Sequence, residues 1–234
     1  MIYIFGDSYA YSGKNNYDCF EYKGWHQYFE EPVKNFSVPF TGPQHSMDAL
    51  NENIMKLKDS DKIIFILSYP ERLNFFSSKP EQSRDIARFM LNNEYDDLPY
   101  VQLHYDNINY LYLTLKKEFE YINLKNLLYL KHISDIMKMK VFVISVPRIY
   151  YKVEYLNNSN FFHFDNIESI SFNEINKYDS KMNYKNDKRI NHLSEKNNKN
   201  LFNIIDSFFK EDTQQMNDFI NNFETSIYEK SEIF

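Results

Sequence analysis

The segment Lys62-Ile63-Ile64-Phe65-Ile66-Leu67 limits the folds open to this chain more than any other. Its apolar residues are consecutive, so a strand made from it has no face suited to water. The run is also too short for a globular helix. A strand buried on both faces belongs in a parallel sheet covered by helices. Ile2–Phe5 and Val141–Val146 share this character, as does Val33–Val38, which Lys34 and Asn35 interrupt. Ile167–Ile170 is a fifth, less apolar candidate strand.

Helical spacing fills the gaps between these runs. Trp25–Glu31 reads as a short helix. Ser46–Leu57 places Met47, Leu50, Ile54 and Leu57 on one face. Tyr105–Met139 reads as a long helical region, with a break expected near Asn123–Asn126. Leu201–Phe209 carries Leu201, Ile204, Ile205 and Phe208 on one face. Strands alternating with helices predict βαβ units, hence an α/β fold with a parallel sheet. Ser77–Leu98 is polar and reads as a loop or peripheral helix. Asp212–Phe234 has Met216, Phe219, Ile220 and Phe223 at helical spacing. The reading is therefore one domain over residues 1–210 and a C-terminal helical extension over 211–234. That extension either packs on the same domain, the favoured reading, or forms a contact surface for a homo-oligomer.

Composition removes several function classes. The net charge of −6 argues against a phosphate-neutralising surface, so nucleic-acid binding is not expected. One cysteine, Cys19, leaves neither a disulfide framework nor a thiolate zinc cluster. His26, His45, His104, His132 and His163 show no metal-ligand spacing, so no metal is expected. Four glycines in the whole chain leave no Gly-rich phosphate loop, which weighs against a nucleotide-binding flavodoxin-like domain. No run approaches the roughly 18–20 apolar residues of a membrane span. The start Met1-Ile2-Tyr3-Ile4-Phe5 lacks the basic and long apolar segments of a signal peptide. A cytoplasmic location is expected, or a virion or host-cell location for a phage-encoded chain. The abundance of Tyr, Phe, Asn and Lys fits the AT-rich coding bias seen in some bacteria and large phages.

Two motifs carry candidate chemistry. Ile4-Phe5-Gly6-Asp7-Ser8-Tyr9 sets a serine at the carboxyl end of the first strand, the edge where open α/β sheets bind ligands. Ser8 there either caps a following helix or acts as a nucleophile beside free helix N–H groups. A serine hydroxyl needs a base to attack. Asp187-Lys188-Arg189-Ile190-Asn191-His192-Leu193-Ser194, just before the Leu201–Phe209 helix, offers His192 as base and Asp187 as the acid that orients it.

In order and spacing these motifs resemble the SGNH (GDSL-like) hydrolases. Gly6-Asp7-Ser8 is similar to block I of that family. Lys34-Asn35-Phe36-Ser37-Val38-Pro39 with Gly42 and Ser46 is similar to block II, and Asn191-His192-Leu193-Ser194 to block V. Trp25 also fits, since many phage and bacterial members carry a tryptophan between blocks I and II. The resemblance covers about residues 1 to 210. It implies a flavodoxin-like three-layer sandwich, a Ser8–His192–acid triad without a cofactor, and hydrolysis of small-molecule or glycan esters, acetyl esters among them. It also implies that the oxyanion is held by the Ser8 N–H and a block II N–H, from Gly42 or Phe40. His45 lies in the same loop and is a candidate substrate-binding residue.

The sequence departs from the family in three blocks; in block II Phe40 stands at the expected glycine, with Gly42 slightly later. Arg189 stands where block V usually has its acid, so Asp187 is the nearest carboxylate, with Asp165 and Asp179 as alternatives. Block III usually supplies an asparagine to the oxyanion. Here the third strand runs into Ser68-Tyr69-Pro70-Glu71-Arg72, and Arg72 is the candidate substitute. These departures keep a second expectation open, a non-catalytic SGNH-like module that binds a glycan or a protein.

Overall fold

The computed structural model describes residues 1–11, 23–39, 41–70, 118, 121–149, 151–170 and 193–223. The apolar runs form strands: β1 (Ile2–Phe5), β2 (Val33–Asn35), β3 (Lys62–Leu67) and β4 (Lys140–Ser145). A fifth strand, β5, spans Phe161–Phe164. All pairings among them are parallel, in the order β2-β1-β3-β4-β5. That is the flavodoxin-like doubly wound order, in which the chain changes direction across the sheet between β1 and β3.

Alternation along the strands sorts the side chains into two cores. Ile2, Ile4, Ile64, Ile66, Phe142 and Ile144 face one layer, which contains Trp25 and the helix α3 (Glu195–Phe209). Tyr3, Phe5, Ile63, Phe65, Val141 and Val143 face the other. That layer is built from α1 (Pro43–Asn53) and α2, which is helical over 121–137. The result is an α/β/α sandwich. A final helix, α4 (Thr213–Ile220), packs Met216 into the α3 layer, with Phe219, Ile220 and Phe223 against it.

Five sequence expectations need correction. Ile167–Ile170 is a 3-10 turn, and the fifth strand is Phe161–Phe164 instead. Val33–Val38 stays a strand only to Asn35. There the Asn35 side chain accepts the Ser37 N–H (2.9 Å) in an Asx-type turn, while the Phe36 and Val38 N–H groups go on bonding the Ile4 and Gly6 carbonyls. The 121–137 helix runs unbroken through Asn123–Asn126. Trp25–Tyr28 is a single 3-10 turn rather than a helix to Glu31. Pro43 at the first position of α1, after Gly42 as N-cap, starts that helix earlier than its apolar spacing suggested. Ser77–Leu98 lies outside the described residues.

Candidate active site

Ser8 leaves the carboxyl end of β1, at the switch point between β1 and β3. The chain turns at once: the Ala10 N–H donates to the Asp7 carbonyl (3.1 Å). Gly6 makes this turn compatible with the sheet. A Cβ there would lie 2.5 Å from Ile66 Cγ1 and 2.7 Å from Ile66 Cβ, so any side chain would collide with the neighbouring strand. Ser8 was expected to begin a helix, but residues 8–10 form a turn instead; residues 12–22 lie outside the described residues.

Three sets of hydrogen bonds hold the turn. The Asp7 carboxylate, wholly buried, accepts the Tyr9 N–H at Oδ1 (3.0 Å) and the Ser68 hydroxyl at Oδ2 (2.5 Å). The end of β2 and the loop after it supply the second set. Asn35 Nδ2 donates to the Ala10 carbonyl (2.6 Å), and the Val38 N–H donates to the Gly6 carbonyl (3.0 Å). The third set comes from the α3 layer. Trp25 Nε1 donates to the Tyr9 carbonyl (2.8 Å), and the Trp25 backbone N–H donates to Asn198 Oδ1 (2.9 Å). Asn198, itself buried, uses its amide nitrogen on the Leu193 and Ser194 carbonyls (3.2 Å each). Tyr9, Trp25 and Leu193 also share one apolar core. The residue after Ser8 and the residue after His192 are thus ends of a single hydrogen-bonded chain.

His192, Asp187, Arg72 and Phe40 lie outside the described residues, as do Glu71 and Asp179. Gly42 stands at the N-cap of α1, in the loop whose Val38 bonds Gly6. His45 is the third residue of α1 and half-buried. Burial pushes its imidazole below the usual histidine range, against the pull of Asp48 and Glu52, so it is neutral at pH 7. Its Nδ1 is buried and has no hydrogen-bond partner among the described residues. Asp165, the alternative acid, follows β5, three strands from β1, which is roughly 14 Å at the usual strand spacing. It accepts the Ile149 N–H (3.0 Å), and burial pushes its carboxyl up.

A second serine and histidine meet at this far edge. Ser145 Oγ and His163 Nε2 are 2.7 Å apart and both residues are buried. The pair does not have triad geometry. Asp165 Oδ1 stands 3.9 Å from the same Nε2 that meets the serine, so the acid does not address the opposite ring nitrogen. Burial lowers the His163 pKa to about 4, and that of His26, packed edge-on to Trp25, also to about 4. Among the described residues no group of three His, Cys, Asp or Glu side chains is arranged to hold a metal, and no helix is long and apolar enough to cross a membrane.

Sequence reasoning placed Ser8 in the turn after β1, where it stands, and did not foresee the bonds made by Ser68, Asn123 and Asn198. Ser68 reaches the turn through Asp7, Asn123 through Ser68 and Asn198 through Trp25, each from far along the chain. Compared with family models, with curated proteins and with solved structures, the chain matches none.

Proposed function

We propose that the protein is a serine ester hydrolase of the SGNH type, acting on small acyl esters, with acetylated carbohydrate as the substrate class that the sequence resemblance favours. The observation that carries this reading is the buried Tyr9–Trp25–Asn198–Leu193 chain. It joins the segments that bear Ser8 and His192 although Trp25 and Asn198 are 173 positions apart. The position of Ser8 at the switch point of a flavodoxin-like sheet supports the same reading.

In the proposed reaction, Ser8 Oγ attacks the acyl carbon while His192 takes its proton and Asp187 steadies the imidazolium. The Ser8 N–H and a loop N–H, at Gly42 or Phe40, hold the oxyanion. His192 then protonates the leaving alcohol, and water, activated by the same imidazole, releases the acid from the acyl-enzyme. The test is hydrolysis of p-nitrophenyl acetate. The wild-type chain is expected to turn it over, and Ser8→Ala and His192→Ala to lose that activity. A wild-type rate equal to that of Ser8→Ala would refute the proposal.

A second reading, the non-catalytic binding module, is favoured by the end of β3. The Ser68 hydroxyl donates to Asp7, and Pro70 has no N–H, so neither is an oxyanion donor. Binding of an acetylated oligosaccharide without its turnover would select this reading.

A further inference from the structure

We propose that Ser68 and Asn123 are positioning residues for Ser8, acting through the buried carboxylate of Asp7. The inference rests on the serine hydrolase reading for its catalytic consequence, and on geometry alone for its structural part.

Asp7 reaches in two directions. Oδ1 takes the N–H of Tyr9, the residue after Ser8, and Oδ2 takes the hydroxyl of Ser68, 61 positions away. Ser68 is in turn held at its carbonyl by Asn123 Nδ2 (3.0 Å), from α2. The peptides on either side of Ser8 are therefore referenced to β3 and, through it, to the helix layer behind. A carbonyl oxygen can only accept, so the amide of Asn123 is fixed with its nitrogen toward Ser68.

The network is not a cheap way to fill this space. A buried carboxylate costs stability that paired hydrogen bonds only partly return. Asn123 Oδ1 is buried with no hydrogen-bond partner among the described residues, a further loss that an apolar residue would avoid. What the three polar side chains supply and apolar ones cannot is direction. They fix the angle at which β1 turns into Ser8 to within hydrogen-bond tolerance. Reaction rates are steep in that quantity, since a misplacement of about 1 Å can cost on the order of 100-fold.

The test uses the full-length chain with Ser68→Ala and Asn123→Leu, reading p-nitrophenyl acetate kinetics together with hydrogen exchange at the Tyr9 amide. Ser68→Ala is expected to lower kcat about 10- to 100-fold with KM within about twofold, and Asn123→Leu about 3- to 10-fold. In both, the Tyr9 amide should exchange at least about 10-fold faster while the Leu201 amide in α3 is unchanged. A merely structural role would lower stability without separating kcat from KM or Tyr9 from Leu201. Wild-type exchange at Tyr9 overturns the proposal, and so does faster exchange with wild-type kcat. If the wild-type chain hydrolyses no ester, that failure falls on the hydrolase reading. Tyr9 exchange then decides alone: acceleration in both variants upholds the network, and its absence overturns it.

Discussion

The two sides of the sheet each place a serine at the end of a strand, and they use it in opposite ways. Ser8, after β1, is only partly buried and sits where the strand order reverses. Ser145, at the end of β4, is fully buried and spends its hydroxyl on His163. Ser145 has the hydrogen bond of a serine–histidine pair. Judged by access and topology, it is a brace between β4 and β5, because no substrate reaches a sealed hydroxyl. On the proposed reading the nucleophile lies where the sheet opens, and the surrounding bonds serve to hold it. Around Ser8 those bonds go to its backbone neighbours Asp7, Tyr9 and Ala10.

The largest expected effect separates the two serines. Ser8→Ala is expected to reduce ester hydrolysis by on the order of 10⁴-fold or more with little change in stability. Ser145→Ala is expected to leave the rate within about twofold and to cost about 1–3 kcal/mol, because it strands a buried imidazole nitrogen. Paired rate and urea-unfolding measurements read both. Equal loss of activity in the two variants would break the comparison.

Acid sensitivity comes next, and it involves both sides. His26 lies behind the nucleophile turn and His163 at the far edge, each with a pKa lowered to about 4 from 6.5 by burial. The unfolded chain therefore takes up these protons before the folded one does. Stability is unaffected by them above about pH 6.5. It falls between pH 6.5 and 4, by roughly 3 kcal/mol for each histidine, and the loss stops growing below pH 4. Urea unfolding across this range should show the slope, and His163→Gln should remove its own share.

Gly6→Ala is the next test, since it drives a methyl group into Ile66. A loss of about 1–3 kcal/mol is expected, together with reduced hydrolysis as the turn shifts. Ile66→Ala in the same chain removes the colliding Cγ1 and should recover part of the lost hydrolysis, giving a non-additive cycle. The smallest effect belongs to Trp25→Phe, which removes the bond to the Tyr9 carbonyl and should cost about 1 kcal/mol, with a modest fall in kcat.

The parts of this account that were legible in the sequence are those with local signatures. β1, β3 and β4 announce themselves as unbroken apolar runs, and Gly6-Asp7-Ser8 marks the turn that follows the first. β5 did not, for a physical reason. Its segment Phe161-Phe162-His163-Phe164 follows an Asn-rich stretch that reads as loop, and side chains of that stretch complete the strand. Asn158 Oδ1 accepts the Asn160 and Phe161 N–H groups, and Asn157 Oδ1 accepts the His163 N–H. Periodicity sees hydrophobic pattern, not asparagines standing in for a neighbouring strand. The same limit hid Ser68, Asn123 and Asn198, whose meaning lies in contacts with residues 61, 55 and 173 positions away.

The central claim is that Ser8, and not the buried Ser145, is the reactive serine. Labelling with a fluorophosphonate probe, with the modified residue located by peptide mass spectrometry, tests it most directly. The account predicts one adduct, on Ser8, absent from Ser8→Ala, retained in Ser145→Ala and lost in His192→Ala. An adduct on Ser145, or labelling undiminished in Ser8→Ala, would contradict it.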